Sequence, residues 1–378
     1  MSATQDQSRP GPKTSIPVAI LGATGAVGQR FLALLDEHPW FRVERLFASE
    51  ESAGKTYAEA VDWALETPLP KQFAGLGVEL LNPDDLGGLV VAFSALSPDV
   101  AGELEAKVAD AGLLVFSNAG SHRMDADVPL IVPEVNADHF ALATGQQRSG
   151  VIITNPNCST VGLVLALAPI YRAFGLRRVS VVTQQALSGA GLIDGKLMEL
   201  EGNVIPFIRG EEVKLAIEPG KLLGELMTNL GDGSLPEFEI EHAEFPVSAT
   251  CTRVPVTNGH LLSVQVEFDE PVTKDDVLDA WARFQGLPQT EHLPSAPARP
   301  VHYLDEDSAP QPALHVNLES GMAASIGRLR PDGVYGEVGP KRRAWKFITL
   351  SHNTIRGAAG GSILNAELWF STQSSELD

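Results

Sequence analysis

From Val18 to Leu21 the chain is unbroken in its apolar character, then meets a cluster of glycines. Val27, Phe31, Leu34 and Leu35 follow at helical spacing, and "FRVERLFAS" (41–49) turns toward a second strand. A strand, a glycine loop, a helix and a strand within about 30 residues predict the opening of a doubly wound parallel sheet. "LVVAFSAL" (89–96) and "LLVFSN" (113–118) supply further strands, separated by the helical "PDVAGELEAKVADAG" (98–112). Their continuous apolar runs suit parallel strands covered on both faces.

After residue 158 the period changes. "RRVSVVTQQALSGAG", "FPVSATCTRVPVTNGHLLSVQVEFDEP", "ALHVNL" (313–318), "MAASIGRLR" and "AWKFITLSH" read as longer, alternating strands, joined by helices such as "TKDDVLDAWARFQG". In "HLLSVQVEF", Leu262, Val264, Val266 and Phe268 share one face, and Ser263, Gln265 and Glu267 share the other. That pattern predicts a largely antiparallel sheet buried on one side, and hence a second, α+β domain. The Pro-rich segment 286–313 reads as a long ordered excursion or linker, and the helical "RGAAGGSILNAELWFSTQ" as a return onto the first domain. The expected organisation is a loose tail over 1–15, a dinucleotide-binding domain over 16–157 completed by a helix within 355–378, and a catalytic and dimerisation domain over 158–354.

Composition narrows the classes. With 378 residues and 44% hydrophobic content, the chain can build two packed cores. A formal charge of −20 argues against nucleic-acid or anionic-membrane partners, and requires any anionic substrate to be met by locally gathered Arg and Lys. No stretch reaches the roughly 18 apolar residues of a membrane span, and the polar first 15 residues do not read as a signal peptide. Two cysteines, Cys158 and Cys251, cannot form a disulfide framework, so a reducing cytoplasm is the expected setting. No H-x-x-x-H pair and no C-x-x-C motif occurs, so no metal site is expected.

The glycines of "LGATGAVGQ" are Gly22, Gly25 and Gly28. They provide a tight turn, close backbone approach to a pyrophosphate, and helix-start N–H groups aimed at it, with Thr24, Ala26 and Val27 completing the loop. The second strand ends in "FASEESAGKTY". Ser49, Ser52 and Lys55 suit the 2′-phosphate of NADP, although Glu50 and Glu51 resemble the acidic residue of an NAD site.

"TNPNCSTVG" (154–162) places Cys158 after an Asn-Pro-Asn turn and at the start of an apolar helix, "STVGLVLALAPIYRAF". A helix start lowers a thiol pKa toward neutrality, and its N–H groups can hold an oxyanion, so Cys158 is a candidate acyl-transfer nucleophile. Cys251, in a β-rich stretch, reads as a packing residue. Downstream, "TRVPVTNGHLL" offers Arg253 and His260 for charge binding and proton transfer. If Asn258-Gly259 is a two-residue hairpin turn, the two share a face about 13 Å apart along one ladder; a wider loop is the alternative.

Together "LGATGAVGQRF", "SNAGSHRM", "TNPNCSTVGLVLAL", "QALSGAG", "GEEVK", "TRVPVTNGH" and "SHNTIRGAAGGSILNAEL" resemble the aspartate-β-semialdehyde dehydrogenase family, in its archaeal and fungal branch, in order over residues 17 to 370. The resemblance implies a Rossmann-like domain with an α+β partner domain. It also implies NADPH-dependent reductive dephosphorylation of aspartyl 4-phosphate through a cysteine thioester, in lysine, threonine, methionine and diaminopimelate biosynthesis. It makes Cys158 the nucleophile, His260 the general acid/base and Gln185 the residue orienting the substrate. Arg253 would bind the α-carboxylate, Glu211 (or Glu212) the amino group and Lys214 the phosphate region, with Arg123 and Asn157 as phosphate clamp. Ser188, Gly189, Ala190 and Gly191 would face the nicotinamide, and Ser94 with Asn353 or Asn365 would complete the cofactor site. The partners implied are a small-molecule substrate, inorganic phosphate and a second copy of the chain, as a homodimer or dimer of dimers.

Three rival readings remain at this level. Two are related acyl reductases acting on a malonyl thioester or on N-acetylglutamyl phosphate. The third is a non-catalytic nucleotide-binding sensor.

Overall fold

The structure, a computed structural model, describes residues 12, 14–191, 202–229, 236–334 and 339–373. Most of the expected tail and the last residues of the expected closing helix lie outside the described residues.

The first sheet contains β1 (Ile16–Leu21), β2 (Phe41–Phe47), β3 (Val78–Glu79), β4 (Val91–Ser94), β5 (Leu114–Ser117) and β6 (Val151–Thr154), all parallel, in the order β3-β2-β1-β4-β5-β6. The strand order reverses between β1 and β4, the place where an open α/β sheet leaves a crevice at its carboxyl ends. Helix α1 (Ala26–Leu35) follows β1 through the glycine loop, and α2 (Pro98–Asp110) follows β4. Two of the three loop glycines are fixed by close approach. A Cβ on Gly28 would lie 2.2 Å from the Gly22 carbonyl oxygen, and Gly22 has φ +77° with a Cβ position 2.6 Å from the Ala95 oxygen. No larger residue fits either place.

Helix α3 (Cys158–Phe174) links the two halves of the chain. It is apolar on nearly all sides because it is buried on nearly all sides, between the second sheet and helices α4 (Glu211–Leu222) and α5 (Lys274–Ala282). Asn157 caps its start, the side-chain oxygen accepting the Ser159 N–H at 2.9 Å, and Gly175 at φ +65° ends it.

The second sheet comprises β7 (Arg178–Gln185), β10 (Val247–Arg253), β11 (His260–Val272), β12 (Val301–Leu304), β13 (Ala324–Pro331) and β14 (Arg342–Ser351), in the order β10-β7-β11-β14-β13-β12. Three of its five pairings are antiparallel; β10 with β7 and β12 with β13 run parallel. A two-stranded hairpin, β8 (Glu225–Asn229) with β9 (Glu237–Glu241), stands apart from it. The closing helix, α6 (Gly360–Gln373), packs on β5 and, through the turn Ile355–Ala359, on α1 and α3.

Three local expectations change. β10 and β11 are not a hairpin, because β7 lies between them and pairs with both. The connection 254–259 crosses the end of β7, with Val254 N–H bonded to the Gln185 carbonyl and Leu187 N–H to that of Val256. "ALHVNL" is not a strand. Its flank has prolines at 310 and 312, which lack amide donors, and Pro312 opens a helical turn over Pro312–His315. The Pro-rich excursion contributes an edge strand, β12, and braces the closing helix, since Ser295 donates twice to Glu367, from its N–H and its hydroxyl.

Among the described residues no helix is long and apolar enough to cross a membrane. The turn before α6 is pinned by a buried ion pair between Arg356, 1% exposed, and Glu134, 3% exposed. Replacing Glu134 by Ala leaves that guanidinium uncompensated and is expected to cost about 3–5 kcal/mol in denaturant unfolding. A cost under about 1 kcal/mol would show that the pair does not hold the turn.

Candidate active site

The crossing of β7 between β10 and β11 brings three polar residues to one end of the sheet. Gln185 and Arg253 are Cα partners at the ends of β7 and β10, and His260 begins β11 beside them. The start of α3 faces this end, and Cys158 Sγ lies 3.2 Å from His260 Nε2. Arg253 and His260 therefore sit across two strand spacings, roughly 10 Å of backbone, instead of along one ladder. Their side chains converge on Gly189. A Cβ there would lie 2.9 Å from His260 Cε1 and 3.2 Å from Arg253 Nη1. From the opposite side, Gly357 backs Cys158, with a Cβ position 2.8 Å from that of Cys158.

Helix α4 supplies the charged wall. Glu211, 7% exposed, accepts from Asn157 Nδ2 at 2.8 Å, Gln185 Nε2 at 3.2 Å and Lys214 Nζ at 2.9 Å. Burial pushes its carboxyl up, but Lys214 and the hydrogen bonds from Asn157 and Gln185 outweigh burial and hold it below the ordinary range. Glu212 faces away and accepts the Cys251 N–H at 3.1 Å, so Glu211 is the glutamate of this pair that enters the site.

Two residues on the same helix escaped the sequence reading. Glu218, 1% exposed, accepts from Arg123 Nη1 at 2.9 Å and from the Asn157 N–H at 2.7 Å. Lys221, 2% exposed, donates to the carbonyls of Arg123, Asp125 and Val128. The signal was present as the spacing of Glu211, Lys214, Glu218 and Lys221, three, four and three residues apart, which is one face of a helix.

The electrostatics differ from the helix-start expectation for the thiol. Burial pushes the Cys158 thiol up to about 12, with Glu211 adding to the rise and Arg123, Lys214 and Arg253 opposing it. Burial pushes His260 down to about 3, assisted by Arg253. Desolvation thus acts on both groups against their charged forms.

The expected cofactor residues divide. Gly22, Thr24, Gly25, Ala26, Val27 and Gly28 form the turn into α1, where the first helical amides lack intrahelical partners and suit a pyrophosphate. In the loop after β2, Ser49 and Lys55 are exposed and Ser52 is buried; Lys55 reaches the Glu51 carbonyl at 2.7 Å, and Glu50 and Glu51 are exposed. The Ser94 hydroxyl does not enter the crevice, because it donates at 2.6 Å to the buried Glu105, which Ser117 also reaches. Asn353 spends its amide on Ser188 at 2.8 Å and its oxygen on the Gly259 N–H, tying the 188–191 turn to the start of β11. Asn365 lies in the interior, donating to Asn155 at 2.6 Å, and is not part of the crevice. Gly191 ends the turn at φ +70°.

Family models for the semialdehyde dehydrogenase NAD-binding domain and the semialdehyde dehydrogenase dimerisation domain match residues 17–143 and 167–356. The chain is 44% identical over 357 residues to the aspartate-semialdehyde dehydrogenase of Methanothermobacter thermautotrophicus, covering 93% of this chain and 98% of the relative. It is 40% identical over 360 residues to that of Schizosaccharomyces pombe, covering 93% and 97%. Among solved structures it resembles aspartate semialdehyde dehydrogenase with NADP from Candida albicans, with TM-score 0.80 and 36% identity over 94% of this chain and 98% of that one.

Gly189→Ala forces a methyl group against both His260 and Arg253. Turnover is expected to fall at least about a hundredfold with the melting temperature unchanged within a few degrees, as a misplacement of about 1 Å at the reacting groups implies. Turnover within about twofold of the parent would show that the two side chains need not meet there.

Proposed function

The chain belongs to the aspartate-semialdehyde dehydrogenase family, and from that premise we propose how its residues carry out the reaction, the NADPH-dependent conversion of aspartyl 4-phosphate to aspartate 4-semialdehyde and phosphate. The observation that carries this reading is the 3.2 Å contact between Cys158 and His260 beside the Gln185, Arg253 and Glu211 cluster. Cys158 attacks the acyl carbon, the bond from that carbon to the phosphate oxygen breaks, and the aspartyl group remains as a thioester on the sulfur. When bound along the crevice, NADPH supplies the hydride that reduces the thioester carbonyl. Breaking the carbon–sulfur bond then frees the aldehyde and returns the thiolate. His260 is the proton-transfer partner at the sulfur and at the oxyanion.

The charges fit the substrate end to end. Arg253 offers a planar fork to the α-carboxylate, Glu211 a carboxylate to the amino group, and Lys214, Arg123 and Asn157 donors to the phosphate. Gln185, 1% exposed, orients the acyl group. An amino group and an α-carboxylate together distinguish this substrate from a malonyl thioester, which has neither an amino group nor an amide there, and from an acetylated glutamyl phosphate, whose nitrogen is uncharged. For the cofactor, Ser49, Ser52 and Lys55 are the groups proposed to meet the 2′-phosphate.

The domains proposed at the outset serve this division of labour: a nucleotide-binding part over 16–157, completed by the closing helix, and a catalytic and dimerisation part over 158–354. The chain is proposed to work as a homodimer, and as a dimer of dimers where two such pairs meet. Exposed Val204, Ile205, Phe207, Val213 and Ile217, beside β10 and on α4, provide apolar surface for a second copy. In this reading the enzyme works in the cytoplasm, whose reducing poise keeps Cys158 and Cys251 free.

The test is an assay in the oxidative direction with aspartate 4-semialdehyde, NADP and inorganic phosphate. Phosphate-dependent NADPH formation is expected, with NAD poorer than NADP and with Cys158→Ala inactive but folded. Equal or better activity with malonate semialdehyde or N-acetylglutamate semialdehyde would sink the substrate assignment. Retained turnover in Cys158→Ala would sink the nucleophile.

A further inference from the structure

The carbonyls of the glycine loop are held by side chains from outside it. The Ala23 carbonyl accepts the Tyr57 hydroxyl at 2.9 Å, and the Thr24 carbonyl accepts Gln29 Nε2 at 3.0 Å. Both donors are interior, with Tyr57 0% exposed and Gln29 3%. The orientation of Gln29 is fixed as well, because its Nε2 also donates to the Asp62 carbonyl at 2.9 Å while its Oε1 accepts the Ala64 N–H at 2.9 Å. The Gly22 carbonyl accepts the Gly25 N–H at 3.2 Å. Three successive carbonyls of the turn therefore have donors within the protein.

A trans peptide points its N–H opposite to its C=O. With the Ala23 carbonyl turned inward to Tyr57, the Thr24 N–H faces away from the interior, on a turn where Thr24, Ala26 and Val27 are half-buried and Gly25 is exposed. The first amides of α1, which have no intrahelical acceptors, follow it. Gly22 and Gly25 allow this turn to form, and the same freedom allows it to rock. Gly25 at the head of α1 brings no side-chain cap. Stiffness has to come from elsewhere.

We infer that Tyr57 and Gln29 are positioning residues for the cofactor: by holding the Ala23 and Thr24 carbonyls inward, they keep the amide face of the glycine loop turned to the pyrophosphate. This rests on the reading of that loop as the place where the NADPH pyrophosphate binds.

The place of Tyr57 in the chain adds a second link. It follows directly on the loop whose Ser49, Ser52 and Lys55 are proposed to meet the 2′-phosphate. At the near end of that loop, the Phe47 carbonyl accepts the Gly22 and Ala23 N–H groups at 2.8 and 2.9 Å. At its far end, Tyr57 N–H donates to the Leu76 carbonyl at 2.7 Å, and Glu59 accepts the Thr56 N–H at 3.0 Å to start the helical turn Tyr57–Ala60. The peptides around Ala23 are thus gripped from both ends of the neighbouring loop, and the two phosphate-binding stretches are framed as one unit. Burial raises the Tyr57 phenol above its ordinary range, so it stays protonated and remains a donor.

Tyr57→Phe removes one hydroxyl and keeps the ring. The Ala23 carbonyl then has no interior donor, and the loop relieves it by rocking toward water in the crevice, which carries the Thr24 N–H out of place. Gln29→Met keeps the length of the side chain and loses its amide. The test titrates the whole protein, parent and both variants, with NADPH, NADH and 2′-AMP. NADPH and NADH are each expected to bind about tenfold more weakly to either variant, whereas 2′-AMP, which has no pyrophosphate, binds within about twofold of the parent. Turnover at saturating cofactor and the KM for aspartate 4-semialdehyde are expected to stay within about twofold. Unchanged affinity for NADPH and NADH in either variant would overturn the role of that residue. An equal loss of 2′-AMP binding would overturn the inference for both, since it marks a general loosening of the domain. A parent protein that binds neither NADPH nor NADH would show instead that the cofactor reading itself fails.

Discussion

The distance between sulfur and imidazole depends on how closely α3 can lie against the second sheet. Gly162 sits one turn into the helix, where a Cβ would fall 2.3 Å from the Ser351 hydroxyl oxygen, and Ser351 is the Cα partner of His260 across β14 and β11. A side chain at 162 would meet Ser351 Oγ and Cβ and press on the strand paired with the one that carries the histidine. Gly357 gives the same close approach from the far side of Cys158. Two glycines thus set the gap across which the chemistry runs. The dense apolar packing of α3 holds the gap closed, because a close-packed interior cannot yield without losing contacts.

Charge is handled as locally as packing. A protein of net charge −20 that binds a substrate with two anionic ends must concentrate cations and keep them in place. Arg123 is held by Glu218 and by the Asn118 carbonyl, Arg253 by the Ala186 carbonyl, and Lys214 by Glu211. Helix α4 carries Glu211, Lys214 and Glu218, and its Lys221 ties down the loop that presents Arg123. One rigid element thereby fixes the spacing between the Glu211–Lys214 pair and the Arg123 guanidinium. The buried carboxylate of Glu211 is held below the ordinary range by the hydrogen bonds it accepts from Lys214, Asn157 and Gln185, and Glu218 accepts from Arg123 and the Asn157 N–H.

Much of this was legible in the chain, for identifiable reasons. The glycine loop shows because only glycine satisfies Gly22 and Gly28, and the helix start at Cys158 because a turn and an apolar run bracket it. Periodicity found β11, whose faces alternate along His260–Phe268, and also β13 and β14, although both are buried on both faces over part of their length. It failed at "ALHVNL", where alternation is present but the prolines at 310 and 312 decide. The order of the second sheet was not legible, since nothing in the residues between Arg253 and His260 records that β7 passes between them. Ser94 and Asn365 were placed in the crevice by resemblance, whereas their side chains are used inside the fold, by Glu105 and Asn155. Ala186, whose carbonyl holds Arg253, could not have been found at all, because what it contributes is its peptide group, and its side chain says nothing about it.

The central claim is that Cys158 carries the aspartyl group between phosphate and hydride transfer. The most direct measurement is the mass of the intact protein after mixing with aspartate 4-semialdehyde and NADP in the absence of phosphate, where the thioester has no acceptor but water. A mass increase of one aspartyl group, mapped to the Cys158 peptide and removed on adding phosphate, is the expected result. An unmodified Cys158 in the phosphate-free mixture while NADPH is formed, or an adduct on another residue, would contradict it.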